Sequence, residues 1–203
     1  MMPPGHLAAT WGVAALLQRN NPRLARLDYR LLAVSAMLPD FIDKPLAIFI
    51  FTDSHSSQNI AHSFLLHVLV LTLTLLWWRQ ALPYILAFNA HLLADHMWNH
   101  TETFWWPLFG WNVFWGYKPM NTPEDMLDVY LDVIIRYPHV WVIEVIAMAV
   151  LVWFARRYQL YRWRVLKAFI LTGRNDMVDN LFPKIPKSFC PQFKKVYNFF
   201  IHL

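Results

Sequence analysis

The sequence predicts an all-α, polytopic helical membrane protein, and three observations predict it. Hydrophobic residues fill 57% of the 203 positions, charged residues only 15%, and mean hydropathy is +0.30, where a soluble domain carries about 25% charge. Aromatic residues reach 17%, with 11 tryptophans, the residue type that gathers where a chain meets a membrane interface. Apolar runs of the length that crosses a bilayer recur along the chain. The same composition excludes intrinsic disorder, because too little charge is present to keep an open chain solvated. Cys190 is the single cysteine, which excludes an intrachain disulfide and a thiolate zinc finger.

Taken in order, the start MMPPGHLAAT lacks the basic segment of a cleavable signal peptide and is expected to be retained. Residues 7–17 form a short apolar helix or partial span. Residues 31–51 are a candidate span interrupted by Pro39, Asp40, Asp43, Lys44 and Pro45. The clearest span is 60–78, which has no formally charged side chain and would extend about 28 Å as a helix. Trp77, Trp78 and Arg79 close it with interfacial anchors. Residues 81–97 return, and the aromatic stretch 103–117 is expected in an interface. Thr122-Pro-Glu-Asp125 reads as a helix start with an N-cap, Pro at N1 and acids in the first turn, opening a helix over about 123–136. Residues 140–155 form the last span, apolar apart from Glu144 and stopped by Arg156 and Arg157.

Two regions follow from charge. Residues 1–155 form a membrane-embedded helical domain. Residues 156–203 form a basic amphipathic tail, with 10 Lys or Arg against Asp176 and Asp179. The tail's cations alternate with aromatic and aliphatic residues, as on an interfacial helix, so membrane lipids are the expected partner and nucleic acid is not. Arginines at the ends of 60–78 and 140–155 orient both from outside to inside by the positive-inside rule. The tail is then cytoplasmic, and His6, His55, His62, His91, Asp95, His100 and His139 converge toward the opposite, non-cytoplasmic face.

Those polar groups are costly in an apolar setting. An unpaired buried carboxylate costs several kcal/mol, so Asp40 and Asp43 each need a cation, a metal or a wet cavity. His91 and Asp95 lie four apart, on one helical face, where they can ligate one ion or support each other. His62 opens the best span, and His67 falls about 140° round from it, so it packs against a neighbouring helix instead. Glu144 is an intramembrane carboxylate and therefore a candidate. Imidazole with carboxylate and no thiolate suits Zn²⁺, and also Mn²⁺ or Fe²⁺. Several of each favour more than one ion.

In order along the chain, Gly5-His6-Leu-Ala, Leu38-Pro39-Asp40…Asp43, His55…His62-Ser63, His91-x3-Asp95 and Thr103…Trp106-Pro107-Leu108 resemble the family of membrane-bound metal-dependent hydrolases over about residues 5–110. That family is similar to zinc-dependent phospholipases C and S1/P1-type nucleases. The resemblance implies a helical core of that type, with His6, Asp40, His62, His91 and Asp95 holding one to three ions. His55, Asp43, His100, His139 and Glu144 are further candidates. Asp40 or Asp95 would bridge ions or take a proton. The function expected is hydrolysis of a phosphoester in a phospholipid or lipid-linked substrate at an inner or plasma membrane. A proton-coupled or ion-coupled transporter and a non-enzymatic membrane scaffold are the alternatives.

Overall fold

A computed structural model describes residues 1–21, 24, 26–51, 56–111, 127–128, 131–132 and 135–174. Among the described residues the chain is helical, without strands. The long helices are α1 (Pro3–Asn20), α2 (Tyr29–Phe49), α3 (Phe64–Trp77), α4 (Leu82–Ala94) and α6 (Pro138–Arg157), joined by the short α5 (Thr101–Phe104) and α7 (Trp163–Thr172). Helix α2 lies against α1 and α4, α3 against α4, and α6 against α1.

Local chemistry sets the ends. Prolines occupy the first turns of α1, α4 and α6, where a missing N–H is no loss. Asp28 caps α2 by accepting from the N–H groups of Arg30 and Leu31. It also pairs with the Arg30 guanidinium at 2.6 Å, and Arg30 donates to the carbonyls of Ile170 and Leu171 at the end of α7. Gly173 ends α7 in the left-handed region at φ +68°, and a Cβ there would lie 1.7 Å from Asp28 Oδ1, so only glycine fits. Its carbonyl accepts from Tyr29 N–H at 2.8 Å. Along the α1–α6 seam, a Cβ on Gly12 would come within 3.2 Å of Val150; small residues let the two helices approach.

These connections close an aromatic core. Phe154 of α6 touches Trp11, Tyr29, Tyr158 and Phe169, with ring centroids 4.5–6.3 Å apart. Trp11 Nε1 donates to the Tyr29 carbonyl, and Tyr29 Oη to Gln18, so buried polar edges keep partners. Phe169 brings the first part of the basic tail into this core. Residues 175–203 lie outside the described residues, as do Thr122 and Asp125 of the expected helix start.

Two expectations are corrected. Helix α2 runs unbroken through Pro39 and Pro45, so the polar residues do not interrupt it. Among the described residues, no helix is long and apolar enough to cross a membrane. The stretch 60–78 is divided: Ile60–His62 form a 3₁₀ turn, Ser63 caps the next helix, and α3 holds 14 residues, about 21 Å against a hydrocarbon layer of roughly 30 Å. Helix α2 carries Asp40, Asp43 and Lys44, and α6 carries Glu144 and ends on two arginines.

Phe154 is 1% exposed at the centre of the aromatic core. Phe154→Ala is expected to cost about 3–5 kcal/mol through lost contacts and a cavity. Chemical unfolding in detergent measures it; a change under about 1 kcal/mol would show that the core relaxes around the gap.

Candidate metal centre

The site lies at the end of the bundle away from the aromatic core. Helix α2 supplies Asp40 and Asp43 one turn apart, the 60–62 turn supplies His62, and the end of α4 supplies His91 with Asp95 as its C-cap. The side chains of Asp43, His62 and His91 are 0% exposed, a placement each must compensate by specific bonds.

Asp43 is the anchor. Its carboxylate accepts from the backbone N–H groups of Asn59 (2.7 Å), Ala61 (2.9 Å) and His62 (3.1 Å), and its Oδ2 lies 2.7 Å from His62 Nδ1. A carboxylate there obliges Nδ1 to carry the proton, which turns the Nε2 lone pair inward in the neutral ring. His91 is set the same way: Nδ1 donates to the Ala36 carbonyl at 2.7 Å, and Nε2 faces inward. His67, stacked on Phe88 at 4.0 Å, places Nε2 2.9 Å from the Ala61 carbonyl and holds the turn from behind. It does pack against the neighbouring helix.

The inward atoms converge. His62 Nε2 and His91 Nε2 are 3.1 Å apart. Asp40 Oδ1 lies 3.7 and 3.9 Å from them, and Asp95 Oδ2 lies 3.9 and 3.3 Å from them. One ligand atom from each of Asp40, His62, His91 and Asp95 falls within 4.8 Å of the other three. A tetrahedral ion with bonds near 2.0–2.1 Å needs ligand atoms about 3.4 Å apart. The edges of the cluster bracket that length. Two imidazole lone pairs at such a distance repel unless a positive charge lies between them. A proton on one ring satisfies that pair alone, whereas a divalent ion satisfies all four acceptors.

The other predicted residues divide. His6 stands outside the four-atom group. Its ring stacks on His91 at 4.1 Å, and its Nε2 lies 3.0 Å from Asp95 Oδ1 and 3.1 Å from the Met1 carbonyl. The Met1 ammonium also meets Asp95 Oδ1, at 2.6 Å. Asp43 is spent on the turn and on His62. Glu144 Oε1 accepts from Met2 N–H at 2.9 Å, at the start of α1, while its Oε2 is buried without a hydrogen-bond partner among the described residues. His100 is exposed and outside the cluster. His55 lies outside the described residues, and His139 begins α6 with its side chain outside them.

Two contributors escaped the sequence. Gln58 donates to Asp95 Oδ2 at 3.2 Å; it sits in a loop, where no periodicity marks it. Lys44 donates to Asp40 Oδ2 at 2.7 Å, and its i,i+4 spacing from Asp40 was the available signal.

Burial alone would raise the Asp95 carboxyl. The hydrogen bond from His6 and the N-terminal charge outweigh it and hold Asp95 well below the usual range. Its folded value is below the ordinary 3.8, so the stability it contributes is complete above the unfolded value and is lost as pH falls through the folded one. In metal-free protein, the gap in unfolding free energy between wild type and Asp95→Asn should therefore shrink on acidification. A gap independent of pH rules out this source. Asp43→Ala strands several buried donors and should cost about 3–5 kcal/mol, read from unfolding at neutral pH.

The family described as YdjM inner membrane protein matches residues 1–163. No curated protein and no solved structure matches the chain.

Proposed function

We propose, from the premise that this chain belongs to the YdjM inner membrane protein family, that it is a membrane-bound, metal-dependent hydrolase acting on a phosphoester. The observation that carries the reading is the group of Asp40 Oδ1, His62 Nε2, His91 Nε2 and Asp95 Oδ2 within 4.8 Å of one another, with both ring tautomers set so that lone pairs point inward.

Two imidazole nitrogens and two carboxylate oxygens suit Zn²⁺ first, with Mn²⁺ or Fe²⁺ as alternatives. Such an ion supplies a Lewis acid for a phosphoryl oxygen and acidifies water at neutral pH. The residues do the rest. Asp43 and Ala36 hold the two rings, which limits reorganisation when an ion enters. Asp40 and Asp95 each keep one oxygen directed outward from the centre, toward Lys44 and His6 respectively, where a proton can be received or passed on. One ion is the count this group supports.

The membrane setting bears on the substrate. Leu16, Val34, Leu65, Leu69, Val145 and Ile146 are all about half exposed or more, on the outer faces of α1, α2, α3 and α6. A protein in water rarely leaves so many large apolar side chains exposed. The cations Arg19, Arg30, Arg156, Arg157 and Arg164 belong to the aromatic-core end. By the positive-inside rule that end is cytoplasmic, and the metal centre faces the other side of the membrane. A phospholipid or lipid-linked phosphate is then the substrate class at headgroup depth.

Metal analysis of protein purified in detergent is expected to return about one equivalent of ion. His91→Ala and Asp95→Ala should each lower phosphodiesterase turnover at least about a hundredfold. Metal-free wild type, or hydrolysis unchanged in both variants, overturns the proposal.

A further inference from the structure

The aromatic-core end carries a second feature, at the other end of the bundle from the metal centre. Helix α7 runs from the C-terminal end of α6 to the N-terminal end of α2. There Arg30 and the Tyr29 N–H donate to the carbonyls of Ile170, Leu171 and Gly173. Phe169 anchors the inner face of α7 against Phe154 and Tyr29. The helix is thus held from within, and its other face is turned outward. That face is mixed in character. Trp163, Ile170 and Leu171 are 72%, 56% and 65% exposed, and Arg164 and Lys167 are exposed among them. Arg162 precedes them, its guanidinium 5.9 Å from the exposed Tyr161 ring.

Charge here is one-sided. Among the described residues from 138 to 174, Glu144 is the one acid, and it lies near the start of α6, beside Met2. Asp28, next to the end of α7, is already paired with Arg30. Residues 175–203 carry Lys184, Lys187, Lys194 and Lys195 against Asp176 and Asp179, so the rest of the tail brings no surplus of anions. The end of α6 repeats the mixture. An open groove of about 490 Å³ is lined by Ala149, Val152, Trp153, Arg156 and Arg157, apolar first and then cationic.

A soluble polyanion would meet the cations but leave the indoles and aliphatic side chains in water. A phospholipid meets both. Long cationic side chains reach the phosphates while rings and aliphatic groups rest at the top of the acyl chains. We propose that the outer face of α7, with the end of the α6 groove, docks the headgroups of anionic phospholipids in the adjoining membrane leaflet. Arg162, Arg164 and Lys167 meet phosphate oxygens, and Trp163 and Ile170 lie at the level of the glycerol backbone. An acyl chain follows Ala149 and Val152, with its phosphate at Arg156. The site is independent of the metal centre and of any turnover there.

The test uses the full chain in nonionic detergent, with a chelator present so that no metal chemistry contributes. Dioleoylphosphatidylglycerol or dioleoylphosphatidylcholine is added, and retained lipid is measured by native mass spectrometry. Wild type should hold phosphatidylglycerol at least about tenfold more tightly, since each surface cation contributes about fivefold. That preference should shrink as salt is raised. Replacing Arg162→Gln, Arg164→Gln and Lys167→Gln together should reduce it to about twofold or less. Arg136→Gln removes a cation paired with Asp132 ahead of α6 and should leave it unchanged. An excess of glycerol 3-phosphate or of duplex DNA should not displace the lipid. Equal retention of the two lipids by wild type, or a preference indifferent to salt, overturns the site. So does a preference that survives the triple replacement or falls equally in Arg136→Gln. Displacement by glycerol 3-phosphate assigns the cations to free phosphate, and displacement by DNA to nucleic acid; either overturns the lipid assignment.

Discussion

The buried carboxylate of Asp43 organises the end of the bundle that carries the candidate metal centre. A charged group at 0% exposure is tolerable only with full compensation. Here three backbone N–H groups from the 59–62 segment and one imidazole supply it. The same bonds do two jobs. They tie the 3₁₀ turn ahead of α3 to helix α2 through the N–H groups of Asn59, Ala61 and His62. They also select the His62 tautomer and aim its Nε2. Asp43 thus ties the tight turn and the His62 orientation to the same carboxylate. Since α2 positions Asp40 one turn earlier, a single helix sets both an orienting carboxylate and a cluster carboxylate.

This explains which parts of the fold were legible. Helix type and the approximate extents of 140–155 and 81–97 follow from apolar run length and from Pro and Arg at their ends. The 60–78 run misleads for a definite reason: nothing in IAHS marks those residues as turn, since the feature that turns them is a carboxylate far away in sequence. Pro39 and Pro45 mislead in the other direction. Each normally breaks a helix, yet α2 is packed between α1 and α4, and tertiary contact outweighs the local preference. Hydropathy averaging also reads Asp40 and Asp43 as interruptions of a span, although both point into the bundle.

The site was legible to a similar degree and for similar reasons. His91 and Asp95 announce themselves through i,i+4 spacing. Asp40 and His62 do so through the expense of polar groups in apolar surroundings. That argument gives no geometry, so it could not separate a group that faces the centre from one that supports it. Asp43 and His6 have the same claim on chemical grounds as Asp40 and His62, and they differ only in what their second atoms touch. Asp43 is saturated by the turn, and His6 is directed to the outer oxygen of Asp95. Gln58 was beyond reach, because loops carry no period.

The two ends of the bundle stand in an energetic relation. Four acceptor atoms turned toward one another, with little donation among them, are destabilising in a protein that holds no ion, and hydrophobic contact does not relieve electrostatic repulsion. The opposite end supplies the compensation. Trp11, Tyr29, Phe154, Tyr158 and Phe169 bury their rings together, and the Asp28–Arg30–α7 clasp ties the chain's late helix to its early one. Helices α1 and α2 run from that core toward the site, so rigidity gained at one end is delivered at the other. A fold of this kind keeps an unfavourable constellation in place before any ligand arrives. Local chemistry is inconsistent with stability there and consistent with it elsewhere, which is the pattern expected where a structure is shaped by binding.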